Sequence, residues 1–368
     1  MRIGFADFTG WDYHVASVET APLGGSQSAS CYLARAMARQ GHQVLFVSSV
    51  SAPGNYLGVE CRSWSRVGPE QIQAFDLDVL VCLLIAGNGR QLKAALGPRT
   101  RLILWTQHAH DQPGVQGLQD AAERASFDGF VFVSDWQRQK FIGTFGVEAA
   151  RSIVLRNAIA PAFADLFPVS APILPQKVWP PIVAYTSTPF RGLEWLLDVF
   201  PEIRRRVGGT RLRVFSSMQV YKLESQQEQA AYGTLYERCR LTDGVEYIGS
   251  LPQPRLASQL RDVWALAYPN TFAETSCIAV MEAMAAGCRI ITTDLAALPE
   301  TTAGFARLIP AGGHEAYLRQ FADQIVEVLS EAAAGPGEAE AFLRRQVDHV
   351  NRECNWDLRA RQWVQWLQ

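Results

Sequence analysis

Two series of short apolar runs, each alternating with helical patterns and separated by a proline-crowded stretch, constrain this chain more than any other feature. The first series has strand-length runs at Arg2–Phe5, Gln43–Ser48, Val79–Leu84, Leu102–Thr106 and Phe130–Val133. Helical patterns fall at Ser26–Gln40, ended by Gly41, and at Trp136–Phe145. The second series has runs at Ile182–Tyr185, Leu212–Phe215, Val245–Ile248, Val263–Tyr268 and Ile290–Thr293, with a helix over Leu193–Val207. Apolar runs of this length bounded by turn residues are typical of parallel strands buried on both faces. Segment 161–181 carries Pro161, Pro168, Pro172, Pro175, Pro180 and Pro181, which oppose both helix and central strand. The pattern predicts two α/β domains, over 1–165 and 182–345, joined by a linker at 166–181. A helical C-terminal segment follows at 346–368, its last part, Asn355–Gln368, rich in tryptophan.

With 368 residues, 48% of them hydrophobic and 19% charged, the chain can bury two sizeable cores. A net charge of −2 opposes non-specific nucleic-acid binding, which needs a basic surface. The start, MRIGFADFTG, runs directly into a strand pattern and has no basic segment followed by an apolar one, so no signal peptide is expected. No apolar run approaches the roughly 18–20 residues of a membrane span. Seven scattered cysteines, Cys31, Cys61, Cys82, Cys239, Cys277, Cys288 and Cys354, without a CxxC, read as reduced and mostly buried thiols of a cytoplasmic protein. No Cys/His spacing suggests zinc.

The stretch PNTFAETSCIAVMEAMAAG, Pro269 to Gly287, holds Glu274 and Glu282 with seven residues between them. It follows an apolar strand and ends in a glycine suited to stop a helix. Glu274 is therefore predicted in a strand-to-helix loop and Glu282 inside the following helix. Helical side chains point back toward the N-terminus. The two carboxylates are thus expected to converge on the volume outside that terminus, which free N–H groups and the positive end of the dipole also face. Such a pocket suits the hydroxyl groups and phosphates of a nucleotide sugar.

The E-x7-E spacing, the flanking EAMAAG and the later Leu298–Glu300 resemble the donor site of the family 4 retaining glycosyltransferases. The resemblance implies a GT-B fold, two Rossmann-like domains with parallel sheets facing across a cleft. The C-terminal domain would bind a nucleotide-diphosphate sugar, the N-terminal domain the acceptor, and the C-terminal helix would cross back to the N-terminal domain. It also implies that Glu282 accepts hydrogen bonds from the ribose diol and that Glu274 holds a hydroxyl of the donor sugar. The N–H groups of Thr275, Ser276 and Cys277 would line the sugar and phosphates. The family pattern has glycines after the first Glu, where Thr275 and Ser276 stand here, which bears on the identity of the sugar.

Arg191, in Phe190-Arg191-Gly192 at a helix start, takes the position at which relatives neutralise the departing diphosphate. A guanidinium fork matches phosphate oxygens and stays charged. Relatives carry a second cation six residues earlier, where Tyr185 stands, and Lys222 is the substitute expected here. Gly24 and Gly25, in GGSQSAS, let a backbone approach a ligand closely, and the resemblance implies that this loop meets the donor phosphate and the acceptor. They do not form GxGxxG, and no acid follows at a strand end, which disfavours a nicotinamide cofactor. Gly249, Ser250 and Leu251 fall where relatives grip the base through backbone groups. His108 or His110, in WTQHAHD after a strand, matches a histidine of the relatives; His108 is the favoured one, and Asp111 is either a cap or a site acid.

Asp76-Leu77-Asp78 resembles the DxD metal motif of another glycosyltransferase fold, but both acids precede a strand and read as its polar mouth, so no metal is expected. Arg204–Arg206 is most simply a solvated helix face. The resemblance implies sugar transfer to a glycan or lipid-linked saccharide, in synthesis of cell-envelope polysaccharide. The expected site of action is the cytoplasm, with the inner face of the membrane as a variant in which the tryptophans of the last helix touch lipid. A sugar-nucleotide epimerase or phosphorylase on the same fold, and a non-catalytic partner protein, are the alternatives. The joint presence of Glu274, Glu282 and Arg191 opposes the last.

Overall fold

A computed structural model describes residues 1–368, with residues 69, 332 and 333 described by backbone only. The chain divides into two compact units: residues 1–18, 25–158 and 356–368 form the first, and residues 19–24 and 159–355 the second. In the first, the chain runs β1 (Arg2–Ala6), α1 (Gly25–Arg39), β2 (Gln43–Ser48), β3 (Gly54–Tyr56), β4 (Val59–Ser63), α2 (Pro69–Ala74) and β5 (Val79–Leu83). It continues through α3 (Gly89–Ala95), β6 (Arg101–Trp105), α4 (Ala121–Ser126), β7 (Gly129–Phe132), α5 (Asp135–Phe145) and β8 (Ser152–Val154). The sheet order is β3-β4-β2-β1-β5-β6-β7-β8, parallel throughout except for β3 against β4. β1, β2, β5, β6 and β7 are buried over nearly their whole length, as strands covered on both faces must be.

The second unit runs β9 (Ile182–Tyr185), α6 (Leu193–Arg206), β10 (Arg211–Val214), α7 (Ser225–Leu241), β11 (Val245–Tyr247), α8 (Gln253–Leu260) and β12 (Ala265–Tyr268). Then come α9 (Ile278–Ala285), β13 (Arg289–Thr293), α10 (Leu298–Thr302), β14 (Ala306–Ile309), α11 (His314–Ala334) and α12 (Pro336–Glu353). Its sheet is β11-β10-β9-β12-β13-β14, all parallel. The chain builds outward from β9 to β11 and then returns to place β12 on the other side of β9. The order therefore reverses between β9 and β12, and open α/β sheets bind ligands at the C-terminal edge of such a reversal.

The proline-rich stretch has no α-helix or strand and packs within the second unit. Phe167 and Ile173 are buried with Leu343 and Val347 of α12, and the Ile173 and Leu174 N–H groups donate to Glu340. Lys177 lies buried in the same stretch, donating to the carbonyls of Arg261 (2.9 Å) and Ala286 (2.8 Å) just beyond α8 and α9. The C-terminal segment is two helices rather than one, broken at Cys354–Asn355, and the second, α13 (Trp356–Leu367), belongs to the first unit. Trp363 packs edge-on to Trp105 at 5.2 Å, and Arg101 donates to the carbonyl of Leu367. Trp356 and Trp363 are buried, so these two side chains are core of the first unit and not the lipid-facing groups of the membrane variant. Among the described residues, no helix is long and apolar enough to cross a membrane. Six cysteines are buried, Cys354 is half-buried, and all seven are free thiols.

Candidate active site

At the strand-order reversal of the second unit the two central strands each end in tyrosine, Tyr185 on β9 and Tyr268 on β12, with rings 5.9 Å apart and nearly perpendicular. Beyond β9 the turn Pro189–Arg191 leads to Gly192, at φ +109°, and into α6. Only glycine fits there, because an added Cβ would lie 2.1 Å from the carbonyl oxygen of Pro269. Beyond β12 the chain makes a turn in which Asn270 Oδ1 accepts from the Phe272 N–H, and it then reaches Glu274. Arg191 and Glu274, 83 residues apart in sequence, meet here: Nη1 donates to Oε1 at 2.7 Å. Tyr268 donates its hydroxyl to the same oxygen at 2.6 Å.

The Arg191 guanidinium is held on three sides. Nη2 donates to the Tyr221 hydroxyl at 3.0 Å, the Phe272 ring lies 4.3 Å from the guanidinium carbon, and Glu274 takes Nη1. Its Nε is buried without a partner. Burial works against the guanidinium charge, but Glu274, then Tyr221, hold Arg191 charged more firmly than usual. Burial, followed by the charge of Glu274, keeps the Tyr268 hydroxyl protonated.

Glu282 lies mid-way along α9, a helix apolar on all sides, and it is 3% exposed. It accepts from the Ala160 N–H at 3.1 Å. Burial pushes its carboxyl up to about 8, against the hydrogen bonds from Ala160 and Gln253, which favour the charge. The two carboxylates of the motif thus occupy the predicted loop and helix, but they hold separate partners. Glu274 faces Arg191 and Tyr268, whereas Glu282 faces Ala160 and Gln253. Gly287, at φ +66°, follows the end of α9 as expected. Thr275 and Cys277 are buried and Ser276 half-buried in the short approach to α9; Cys277 directly precedes its first residue.

The C-terminal edge of this sheet is lined with hydroxyls that find no partner among the described residues. They are Thr186 and Thr188 after β9, Ser216 after β10 and Ser250 after β11, together with Oε1 of Gln253. Buried polar atoms without partners are costly and uncommon, and their clustering marks a surface built to receive polar groups. Gly249 (φ +82°) turns the chain before Ser250 and Leu251. Lys222 is exposed, at φ +56°, directly after Tyr221.

Of the remaining predicted site residues, Gly24 belongs to the second unit and the others to the first. His108 follows β6; Gln137 donates to its carbonyl (2.8 Å), and its Nδ1 is buried without a partner. Burial lowers the pKa of the His108 ring. Its neighbour Gly114 has no room for a Cβ, which would meet His108 Nδ1 at 2.7 Å. His110 packs edge-on to Trp136, 6.2 Å between ring centres, and Asp111 is exposed. Gly25 opens α1, with Gly24 just before it. Asp76 and Asp78 sit at the opposite, N-terminal edge of the sheet, where they engage Arg2 and, for Asp76, Arg99. Among the described residues no group of three or more His, Cys, Asp or Glu is placed to hold a metal ion. Arg204, Arg205 and Arg206 pair with Asp243, Glu202 and Asp323 on the surface.

Tyr221, Tyr268, Phe272 and Gln253 were not legible as site residues. Tyr268 ends an apolar strand and reads as core; the others carry no motif, and only the fold brings them to Arg191 or Glu282.

Residues 181–331, from the start of β9 into α11, match the model of the family described as Glycosyl transferases group 1. Among solved structures, the chain resembles a glycosyltransferase from Rickettsia africae at 12% identity and TM-score 0.72, covering 100% of this chain and 97% of that one. It also resembles sucrose-phosphate synthase from Thermosynechococcus elongatus, at 15% identity and TM-score 0.69, covering 99% and 98%. A third is WaaG, a glycosyltransferase involved in lipopolysaccharide biosynthesis, at 14% identity and TM-score 0.64, covering 100% of both chains. None of the curated proteins matches the chain by sequence. Two parallel-sheet α/β units with these structural neighbours define the GT-B fold. The family match lies within the second unit.

Proposed function

We propose that this protein transfers a sugar from a nucleotide-diphosphate sugar to a saccharide or lipid-linked acceptor, with retention of anomeric configuration. The observation that carries this reading is the Arg191–Glu274 ion pair at the strand-order reversal, on a sheet edge that also carries hydroxyls without partners. Arg191 neutralises the diphosphate as it leaves, offering its unpartnered Nε and a fork suited to phosphate oxygens. Glu274 then takes a hydroxyl of the donor sugar, and Glu282 accepts from the ribose diol, each charge-assisted bond contributing about 1.5–3 kcal/mol. The N–H groups of Thr275, Ser276 and Cys277 face the sugar and phosphates, Lys222 supplies the second cation, and Gly249–Leu251 grip the base. His108, Gly24 and Gly25 are assigned to the acceptor and phosphate side.

The bond from the anomeric carbon to the phosphate oxygen breaks as the acceptor oxygen bonds to the same face. The acceptor's proton passes to the departing phosphate, so no protein nucleophile is needed. Charge on the leaving group is met by Arg191 rather than by a metal, and turnover is therefore expected to persist in EDTA. WaaG, which shares the fold, is involved in lipopolysaccharide biosynthesis, and a comparable role in envelope glycan assembly is part of this proposal.

The test is thermal unfolding with UDP, GDP, ADP and TDP, for wild type and Glu282→Ala. A ligand at about 100 times its Kd adds roughly 2.7 kcal/mol, a rise of several degrees. A rise with one nucleotide, lost in the variant, is expected; no rise with any of the four would overturn the reading.

A further inference from the structure

Arg191 owes part of its orientation to a network that lies outside every motif. Glu228, in the first turn of α7, is 6% exposed, and one of its oxygens collects three hydrogen bonds. The donors are the Ser217 hydroxyl (2.8 Å), the Met218 N–H (2.6 Å) and the Tyr236 hydroxyl (2.8 Å). Ser217 also caps the single turn Met218–Tyr221, accepting from the Gln219 N–H at 3.0 Å. Two of the three donors thus belong to the start of that turn, and the last residue of the turn is Tyr221, whose hydroxyl accepts from Arg191 Nη2. The buried carboxylate, the capped turn and the tyrosine form one continuous chain of contacts ending on the guanidinium.

The arrangement has a chemical consequence. Arg191 has five N–H donors in a planar fork and no acceptor. Glu274 takes Nη1, Tyr221 takes Nη2 and Phe272 covers one face, which leaves Nε buried and unpartnered. Without Tyr221 the fork could rotate about its bond to the chain and turn Nε away. Resting on the function proposed above, we infer that Tyr221, set in place by Glu228, is a positioning residue for Arg191. It aims the guanidinium at the distal phosphate of a nucleotide diphosphate and touches no ligand itself.

The test compares nucleoside diphosphate and monophosphate binding to the full chain by calorimetry. The base is the one that shifts wild-type melting among UDP, GDP, ADP and TDP. Tyr221→Phe removes one hydroxyl and keeps the ring. The diphosphate is expected to bind roughly tenfold more weakly, while the monophosphate, which lacks the distal phosphate, binds as before. In an Arg191→Ala background, Tyr221→Phe is expected to change nothing further, because a residue acting through Arg191 has no effect once it is gone. Glu228→Gln is expected to repeat the pattern with a smaller loss; if it fails to fold, the Tyr221→Phe cycle decides alone. Equal losses for both nucleotides, or a loss that persists in Arg191→Ala, would overturn the inference while leaving the proposed function standing. Failure of the wild type to bind any of the nucleotides would overturn both.

Discussion

Arg191 cannot serve Glu274 and a diphosphate at full strength together, and Glu274→Gln separates the two demands. The pair is 2.7 Å apart, with side chains 17% and 7% exposed. Charges about 4 Å apart at an effective dielectric near 20 attract by about 4 kcal/mol, and breaking buried pairs costs about 3–5 kcal/mol. Glutamine preserves the shape and can still accept from Tyr268, so the loss is mainly that of a counter-charge for a buried guanidinium. Without nucleotide, the variant is expected to lose roughly 3 kcal/mol and to melt about 6–12 °C lower, for a unit of some 200 residues. An arriving diphosphate supplies the missing anion and no longer competes with a carboxylate. Nucleoside diphosphate is therefore expected to bind the variant about tenfold tighter than wild type, a recovery of about 1.4 kcal/mol. Sugar transfer is expected to fall, since the hydroxyl acceptor for the donor is weakened. Calorimetry with the nucleoside diphosphate is the assay. An unchanged or weaker affinity in Glu274→Gln would show that the diphosphate does not draw on Arg191.

Three further outcomes are expected. The Glu282 carboxyl is raised to about 8, and its charged form accepts from a ribose diol more strongly than the neutral acid, so nucleotide affinity should rise as pH approaches 8 and level off above it. Glu282→Gln should flatten that profile, and a wild-type affinity that fell with rising pH would exclude the role. Burial lowers the Lys177 pKa to about 8, so its contribution to stability is fully present above about 10.5 and is lost as pH falls through 8. Lys177→Met should therefore cost more in urea unfolding at pH 10 than at pH 7, by up to roughly 3 kcal/mol, and equal costs would count against this. Gly192→Ala, which puts a Cβ 2.1 Å from the Pro269 carbonyl, should destabilise the second unit by about 2 kcal/mol or more and weaken diphosphate binding together with it. Full diphosphate affinity in that variant would show that Arg191 does not depend on this close approach.

Much of the fold was legible because both sheets are parallel, and strands buried on both faces read as continuous apolar runs. Gln43–Ser48 and Ile182–Tyr185 fall where the pattern puts them, and Val79–Leu84 overruns its strand by one residue. β3, β4, β8 and β14 escaped notice for the converse reason: β3, β8 and β14 lie at sheet edges and are half-exposed, and polar residues interrupt the apolar run of β4. The partners of Glu274 and Glu282 were not readable in advance, because helix direction alone does not say which neighbours a side chain meets. Glu282 is five residues into α9, against Ala160, a residue at the far end of the unit in sequence.

The polar partners of Arg191 were hidden for a deeper reason. A tyrosine at the end of an apolar strand, such as Tyr268, and a glutamate in the first turn of a helix, such as Glu228, have ordinary structural readings that sequence cannot displace. Their significance appears only when the sheet reverses order between β9 and β12, bringing Arg191 and Glu274 to the same edge from either side. On the proposed function, the charge that would face a phosphate is countered by Glu274 until a ligand takes it, while Tyr221 keeps the fork aimed. Discrimination follows from this. On the proposed function, a monoanion too weak to displace Glu274 leaves the ion pair intact, whereas a diphosphate bearing two or more charges would take over the guanidinium, still aimed by Tyr221, and release Glu274 for the sugar. Recognition of the leaving group and exposure of the sugar-binding carboxylate would then be one event.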